Sequence, residues 1–306
     1  MTAHQRKPVE SSWTHQTAMP VTPAPRVTVV VATRNRRRSL LRTLERVATV
    51  SGRPPVIVVD NGSTDGSPDA VRHAFPDVKM IRACRNFGAP ARTLGAAAAS
   101  TPYVAFSDDD SWWGAGSLDR AADAMDAHTR LGLVAARIHV GPHEVLDPVS
   151  AEMANSPLPA DDGLPGRPVL GFLACGAVVR KTAYLEVGGF SEFLFFIGEE
   201  RLLAMDMAQA GWGLSYLDEV VAHHDPHPRG DDHQRRRRAT RNDLLSIWMR
   251  RRPRSALRAS ARILASASQD TAVRRGVGDA LAALPEAVRR RQVVDVHLDR
   301  RLGMLE

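Results

Sequence analysis

From residue 27 onward, short apolar runs rich in β-branched residues alternate with stretches of helical period, and few folds accept that alternation. In "VTVVVATRN", Val27 to Ala32 form a nearly continuous apolar run, as expected of a strand buried on both faces. "RRRSLLRTLERVATV" then places Leu40, Leu41, Leu44 and Val47 at helical spacing. "PPVIVVDNGSTDGS" reads as a second strand closing on Asp60 and a loop of turn formers, with a short helix from Asp69 to Phe75 behind it. "VKMIRA" is a third strand, "ARTLGAAAAS" an alanine-rich helix, and "YVAFSDDD" a fourth strand ending on Asp108, Asp109 and Asp110. The pattern predicts an α/β fold with a mostly parallel, Rossmann-like sheet flanked by helices. Ligands of such sheets bind outside the carboxyl ends of the strands, where Thr33, Arg34, Asp60 and Asp108 to Asp110 all fall.

Beyond residue 130 the alternation loosens. "GLVAARIHV" reads as a strand, residues 141–168 as a long variable loop, "GFLACGAVVRKTAYLEVGGF" as a strand and helix, and "EERLLAMDMAQAGW" as a helix. "GLSYLDEVVAHHD" reads as a strand returning toward the crevice, and the chain is arginine-rich and helical from residue 233. Three parts are expected: a disordered lead-in over 1–25, a catalytic domain over 26–232 and a basic helical extension over 233–306. The formal net charge of +7 favours an anionic partner without choosing one. Cys84 and Cys175, far apart, suit free thiols in a reducing compartment. With no apolar leader or spanning run, the expected location is the cytoplasm, with peripheral contact at the inner membrane face left open.

Three consecutive carboxylates repel one another unless solvated or joined by a cation. An Asp-x-Asp at a strand end turns two carboxylates to one side of the turn, where magnesium or manganese would find hard oxygen donors. The competing reading, that the acids cap the helix beginning near Gly116, fails on distance, because Asp110 lies six residues away. Asp60 can accept a hydrogen bond from a base or ribose, or can serve its Asn-Gly turn alone. No G-x-G-x-x-G or P-loop follows the first strand, which disfavours a dinucleotide cofactor and Walker-type phosphoryl transfer.

Taken together and in order, "VTVVVATRNR", "VIVVDNGSTDGS", "RNFGAPARTLGAAAA", "VAFSDDD", "CGAVVRKTAYLEVGGFSE" and "GEERLLAMDMAQAGW" resemble a family 2 glycosyltransferase of the GT-A fold over roughly residues 26–228. The resemblance implies an enzyme that moves a hexosyl or deoxyhexosyl group from a nucleotide-diphosphate sugar to a hydroxyl acceptor, with inversion and with Mn2+ or Mg2+ as cofactor. It places Thr33, Arg34, Asp60, Arg92, Asp108, Asp109 and Gly189 at the nucleotide and donor. Asp108 and Asp110 become metal ligands, joined by His224 or His223. Glu200 is the expected catalytic base, with Glu199 beside it as the competitor for that role. Thr93 stands where the family pattern has asparagine. Physically the set is coherent: a cation offsets the charge of a departing diphosphate, and a carboxylate takes the acceptor's proton.

Other features admit two readings each. His223, His224 and His227 would alternatively form a zinc site, against which stands the lack of a nearby fourth ligand. Arg235 to Arg238 and Arg241 would close over the diphosphate or form a solvated helix face. Trp112 and Trp113 offer a sugar platform or core packing, with the core favoured for one of them. Leu244, Leu245, Ile247, Trp248 and Met249 beside a basic run suit a peripheral membrane helix, or packing on the catalytic domain or on a second copy in a homodimer. The acceptor is a saccharide, a lipid-linked glycan or a natural product. A non-catalytic nucleotide-sugar-binding protein is the alternative function. Nucleic acid is not an expected partner, since acids interleave the basic residues up to 233 and no stacking motif joins the tail.

Overall fold

The computed structural model describes residues 24–50, 53–226, 232–267 and 270–306. The expected lead-in, apart from residues 24 and 25, and His227 lie outside the described residues. The first half runs β1 (Val27–Thr33), α1 (Arg37–Ala48), β2 (Val56–Asp60), α2 (Ser67–Ala74), β3 (Lys79–Arg82), α3 (Ala91–Ala98), β4 (Tyr103–Asp108), β5 (Ser111–Trp113), α4 (Ser117–Ala127) and β6 (Leu131–Val140). Then follow β7 (Val145–Leu146), α5 (Pro148–Ala154), β8 (Arg167–Pro168), β9 (Ala177–Arg180), α6 (Lys181–Glu186), α7 (Glu199–Gln209) and β10 (Gly213–His224). The extension holds α8 (Asp232–Arg250), α9 (Pro253–Ala267), α10 (Thr271–Arg289) and α11 (Val296–Gly303).

The strands form a single sheet in the order β3-β2-β1-β4-β9-β6-β10-β5, with β7 added to β6 and β8 to β10. β1 pairs in parallel with β2 and β4, β2 with β3, and β6 with β10, while β9 runs antiparallel between β4 and β6. Alternate residues of β1 enter opposite cores. Val29 and Val31 meet α1 and α4 on one face, and Val30 meets α3 on the other, which is why the run is apolar without interruption. At Gly95 of α3 a Cβ would lie 2.4 Å from Val30 Cγ1, so only glycine lets the helix sit this close to the sheet.

Residues 141–168 are not the structureless loop that their proline, glycine and acid content suggests. They contain β7, α5 and β8. Asp147 caps α5 by accepting from Val149 N at 2.8 Å, and Pro148 occupies the first turn, where its missing N–H costs nothing. Ser150 Oγ then accepts from Ile138 N at 3.0 Å, and Met153 is buried.

The extension packs on the sheet domain through a third core. Leu244, Leu245 and Met249 of α8 meet Leu202 and Met205 of α7, together with Leu298 and Leu302 of α11. Ile247 packs against Ala256 and Ala259 of α9, and Trp248 Nε1 donates to Ser260 Oγ at 3.1 Å. Leu244, Leu245, Ile247 and Met249 are therefore buried inside the protein, with Trp248 half-buried beside them, as the expected packing on the catalytic domain requires. Among the described residues no helix is long and apolar enough to cross a membrane.

Candidate functional site

The carboxyl ends of β1, β2 and β4 open onto a cleft of about 300 Å3. Its walls include Thr33, Arg34, Arg36, Asn61, Asn86, Arg92, Asp108 and Asp109, with Phe195, Phe196, Arg235 and Arg238 on the far side. The register aligns Ala32 of β1 with Asp108 of β4 and Thr33 with Asp60 of β2, so parallel pairing brings three distant segments to one edge.

The aspartates sit in a tight turn. Asp108 N donates to Ser111 Oγ at 2.7 Å, and Thr43 Oγ1 of α1 donates to Asp109 O at 2.9 Å. Asp109 accepts from Thr33 Oγ1 at 2.9 Å and lies 3.3 Å from Arg36 Nε. Burial pushes its carboxyl up to about 7, with Asp110 and Asp108 adding to the shift and Arg36 and Thr33 opposing it. Asp110 is buried, and Arg36 Nη2 donates to its Oδ2 at 2.8 Å.

β10 returns to this turn. Its end pairs antiparallel with β5, His224 opposite Ser111, and Asp225 N donates to Asp110 O at 2.9 Å. His224 Nε2 thereby comes within 3.3 Å of Asp110 Oδ1, while being buried and without a hydrogen bond. One ligand atom each from Asp108, Asp110 and His224 lie within 4.8 Å of one another. Two hard carboxylates and a buried imidazole nitrogen lacking a hydrogen bond fit a divalent cation. His223 goes elsewhere. Strand alternation turns it to the opposite face, where it stacks on Trp112 at 5.3 Å and lies 6.0 Å from His139. Of the two histidines, only His224 reaches the acids.

Beyond Arg92, and not among the residues that line the cleft, α7 begins at Glu199 and Glu200, behind Gly198 in a left-handed conformation. Between the two acidic groups lies Arg92 of α3, its side chain 5% exposed and bonded to Asp108. Burial would lower the Arg92 pKa, but the charges of Asp108, Glu199 and Glu200 outweigh it and hold the guanidinium above its ordinary value. Glu199 is almost wholly buried and its Oε2 has no hydrogen bond. Burial, reinforced by the neighbouring Glu200, pushes it up to about 8 against the pull of Arg92. Glu200 is also raised by burial, yet keeps part of its side chain exposed. A helix N-terminus alone would stabilise ionised acids, so enclosure overrides the dipole here.

Other expected residues support the cleft without lining it. Asp60 is buried and accepts from Ser63 N at 3.2 Å and 3.3 Å, shaping the loop that presents Asn61. Gly189, at φ +70, packs on Thr93 and Tyr184, where a Cβ would fall 2.6 Å from Thr93 Oγ1. Thr93, which stands where the family pattern has asparagine, places its Oγ1 2.7 Å from Tyr184 Oη. Neither tryptophan reaches the cleft: Trp113 is core, and the Trp112 ring lies 3.7 Å from the Arg46 guanidinium. Of the arginine run, Arg235 and Arg238 face the cleft, while Arg236 and Arg237 pair with Asp270 and Asp279 and Arg241 donates to Asn242.

Several contributors escape sequence reasoning. Arg36 stands in the quoted "ATRNR" but carries no signal separating it from its neighbours. Phe195 and Ile197 hold positive φ of 68 and 71, and Ala89 N donates to Phe195 O at 2.7 Å. Asn242 of α8 secures this loop, Nδ2 donating to Leu194 O, Phe196 O and Ile197 O at 2.9, 3.1 and 2.7 Å. The extension thus sets the approach to α7.

Residues 28–188 match the family model described as glycosyl transferase family 2. The chain is 30% identical over 238 residues to the N-acetylglucosaminyl-diphospho-decaprenol L-rhamnosyltransferase of Mycobacterium tuberculosis, covering 67% of this chain and 78% of that protein. Among solved structures, the mannosyltransferase PcManGT of Pyrobaculum calidifontis, in complex with GDP-Man and Mn2+, superposes with a TM-score of 0.55 at 19% identity, covering 93% of this chain and 86% of that one. S. aureus TarS 1-349 in complex with UDP-GlcNAc gives 0.56 at 17% identity, over 72% of this chain and 66% of that one. Of the longer TarS chain, 39% is matched. These neighbours share the GT-A fold that the sequence led us to expect, and α8 to α11 supply the expected helical extension.

Proposed function

The chain belongs to glycosyl transferase family 2, and from that premise we propose a metal-assisted, inverting transfer of a hexosyl or deoxyhexosyl group from a nucleotide-diphosphate sugar to a hydroxyl acceptor. One observation carries the reading: Arg92 separates a cation-competent triad, Asp108, Asp110 and His224, from a proton-accepting pair, Glu199 and Glu200, within a single site. Thr33, Asn61 and Asn86 would contact the nucleoside, and Arg34, Arg36, Arg235 and Arg238 would face the diphosphate. When bound, a divalent cation on the triad supplies positive charge against the departing diphosphate.

Glu200, the more exposed acid, takes the acceptor's hydroxyl proton as the oxygen attacks the anomeric carbon. The new C–O bond forms as the bond to the diphosphate breaks, and the nucleoside diphosphate leaves with that electron pair. Attack opposite the leaving group inverts the anomeric centre. Burial raises both glutamates, Glu199 to about 8, against the pull of Arg92, so the pair is suited to take up a proton. A lipid-linked saccharide is the acceptor class that the rhamnosyltransferase relative favours, its own name specifying a diphospho-decaprenol substrate.

A thermal-shift panel of nucleoside diphosphates with and without Mn2+, followed by transfer assays with the stabilising nucleotide's sugars, tests the reading. Ligand at about 100 times its Kd should add about 2.7 kcal/mol to stability. A panel in which no nucleoside diphosphate raises Tm, or full-rate transfer in chelator, would refute it.

A further inference from the structure

We propose that the C-terminal extension carries a docking surface for an anionic lipid bilayer, built from α9, α11 and the residues that follow it. Between the start of α9 and the end of α11 lies a cavity of about 750 Å3 that shares no lining residue with the donor cleft. Six arginines line it, Arg251, Arg252, Arg254, Arg258, Arg262 and Arg300, against the two acids Asp299 and Glu306. Those acids are already taken: Arg251 bonds to Asp299 at 2.7 Å and to Glu306, and Arg262 reaches Glu306 at 3.1 Å. Arg252, Arg254, Arg258 and Arg300 form no side-chain ion pair among the described residues, so their charge faces outward unneutralised.

Apolar side chains stand among these guanidinium groups. α9 turns Ala256, Ala259 and Ile263 inward and leaves Leu257 60% and Leu264 50% exposed, next to Arg254 and Arg258 on the same helix. Val296, Met304 and Leu305 are 45%, 47% and 44% exposed at the rim and just beyond α11. Burying such residues is favourable, so their exposure beside unpaired cations calls for a partner that takes both.

The occupants differ in what they satisfy. Free phosphate would engage the arginines and leave the leucines in water. A second copy of the chain would set arginine against arginine. A single-stranded nucleic acid would want aromatic planes, and none lines the cavity; a duplex would engage the arginines through its phosphates and leave the leucines in water. A bilayer offers anionic headgroups to Arg252, Arg254, Arg258 and Arg300 and an acyl boundary to Leu257, Leu264, Met304 and Leu305. The surface differs from the one suggested by residues 244–249, which are interior.

Co-sedimentation of the full chain with vesicles tests this without donor, metal or acceptor, so its failure leaves the enzymatic reading standing. The wild type should bind phosphatidylglycerol-containing vesicles and ignore pure phosphatidylcholine, with binding weakened by salt. R254E/R258E/R300E should lower vesicle affinity on the order of 100-fold. L257S/L264S, which keeps every charge, should lose the binding that survives at high salt. Both variants should keep wild-type transfer to a short soluble acceptor. Equal affinity for the two vesicle types, no vesicle binding by the wild type, wild-type binding by either variant, or tight binding of inorganic polyphosphate or duplex DNA in place of vesicles would overturn the proposal.

Discussion

The two acidic groups of the cleft are built on opposite principles. The aspartates stand at the carboxyl end of a strand, held by Thr33, Thr43 and Arg36, and are approached by an imidazole nitrogen with no proton donor of its own. The glutamates stand at the start of a helix, pressed behind Arg92, one of them with an oxygen that nothing satisfies. Clustered oxygens with an added ligand lower the free energy of a bound cation. Enclosed carboxyls instead raise their own proton affinity. On the proposed reading, the difference suits one side to charge neutralisation and the other to proton transfer.

Removing the cation side should do the most damage. Asp110→Asn is expected to lower kcat/KM on the order of 10^3-fold, and with it the manganese dependence of nucleotide binding, read by transfer assay and calorimetry. Next comes Glu200→Gln, expected to lower kcat by about 10^2-fold while nucleotide affinity is retained. If Glu199→Gln does the greater harm to kcat, the assignment of the base passes to Glu199. His224→Ala should weaken manganese about 10- to 100-fold, whereas His223→Ala should leave metal affinity unchanged in the same titration.

A smaller test uses pH. Glu199 ionises near its ordinary value when unfolded and at about 8 when folded, so the folded state holds the extra proton between them. That contribution is full below pH 4.5 and is lost as pH rises through about 8, so it lowers wild-type stability across that window. Glu199→Gln should flatten the fall of Tm between pH 5 and 8, and an unchanged slope would contradict the enclosure of this acid. Smallest in chemistry is Asn242→Ala, which removes three donations to the loop before α7; it should cost about 1–3 kcal/mol in urea unfolding and expose residues 193–198 to protease.

What could be read from the sequence follows the same division. β1, β2 and β4 were legible because each is a continuous apolar run whose last residue is polar, and parallel pairing does the rest. Asp108, Asp110, Glu199 and Glu200 were legible because they cluster at element ends. The choice between His223 and His224 was not, since it depends on the pairing of β10 with β5, a contact between segments a hundred residues apart. α5 could have been found from Asp147-Pro148, a cap and a first-turn proline hidden within a polar stretch. Asn242 offers no such sign. It is an ordinary residue in an arginine-rich helix, and its role exists only because the third core brings α8 against α7.

Arg36 has a consequence for the life of the protein. Its guanidinium, lying on Asp109 and Asp110, is a counter-ion built into the turn itself. On the proposed reading, a bound cation would enter a turn where Arg36 already lies on Asp109 and Asp110, and chelation should leave the fold intact.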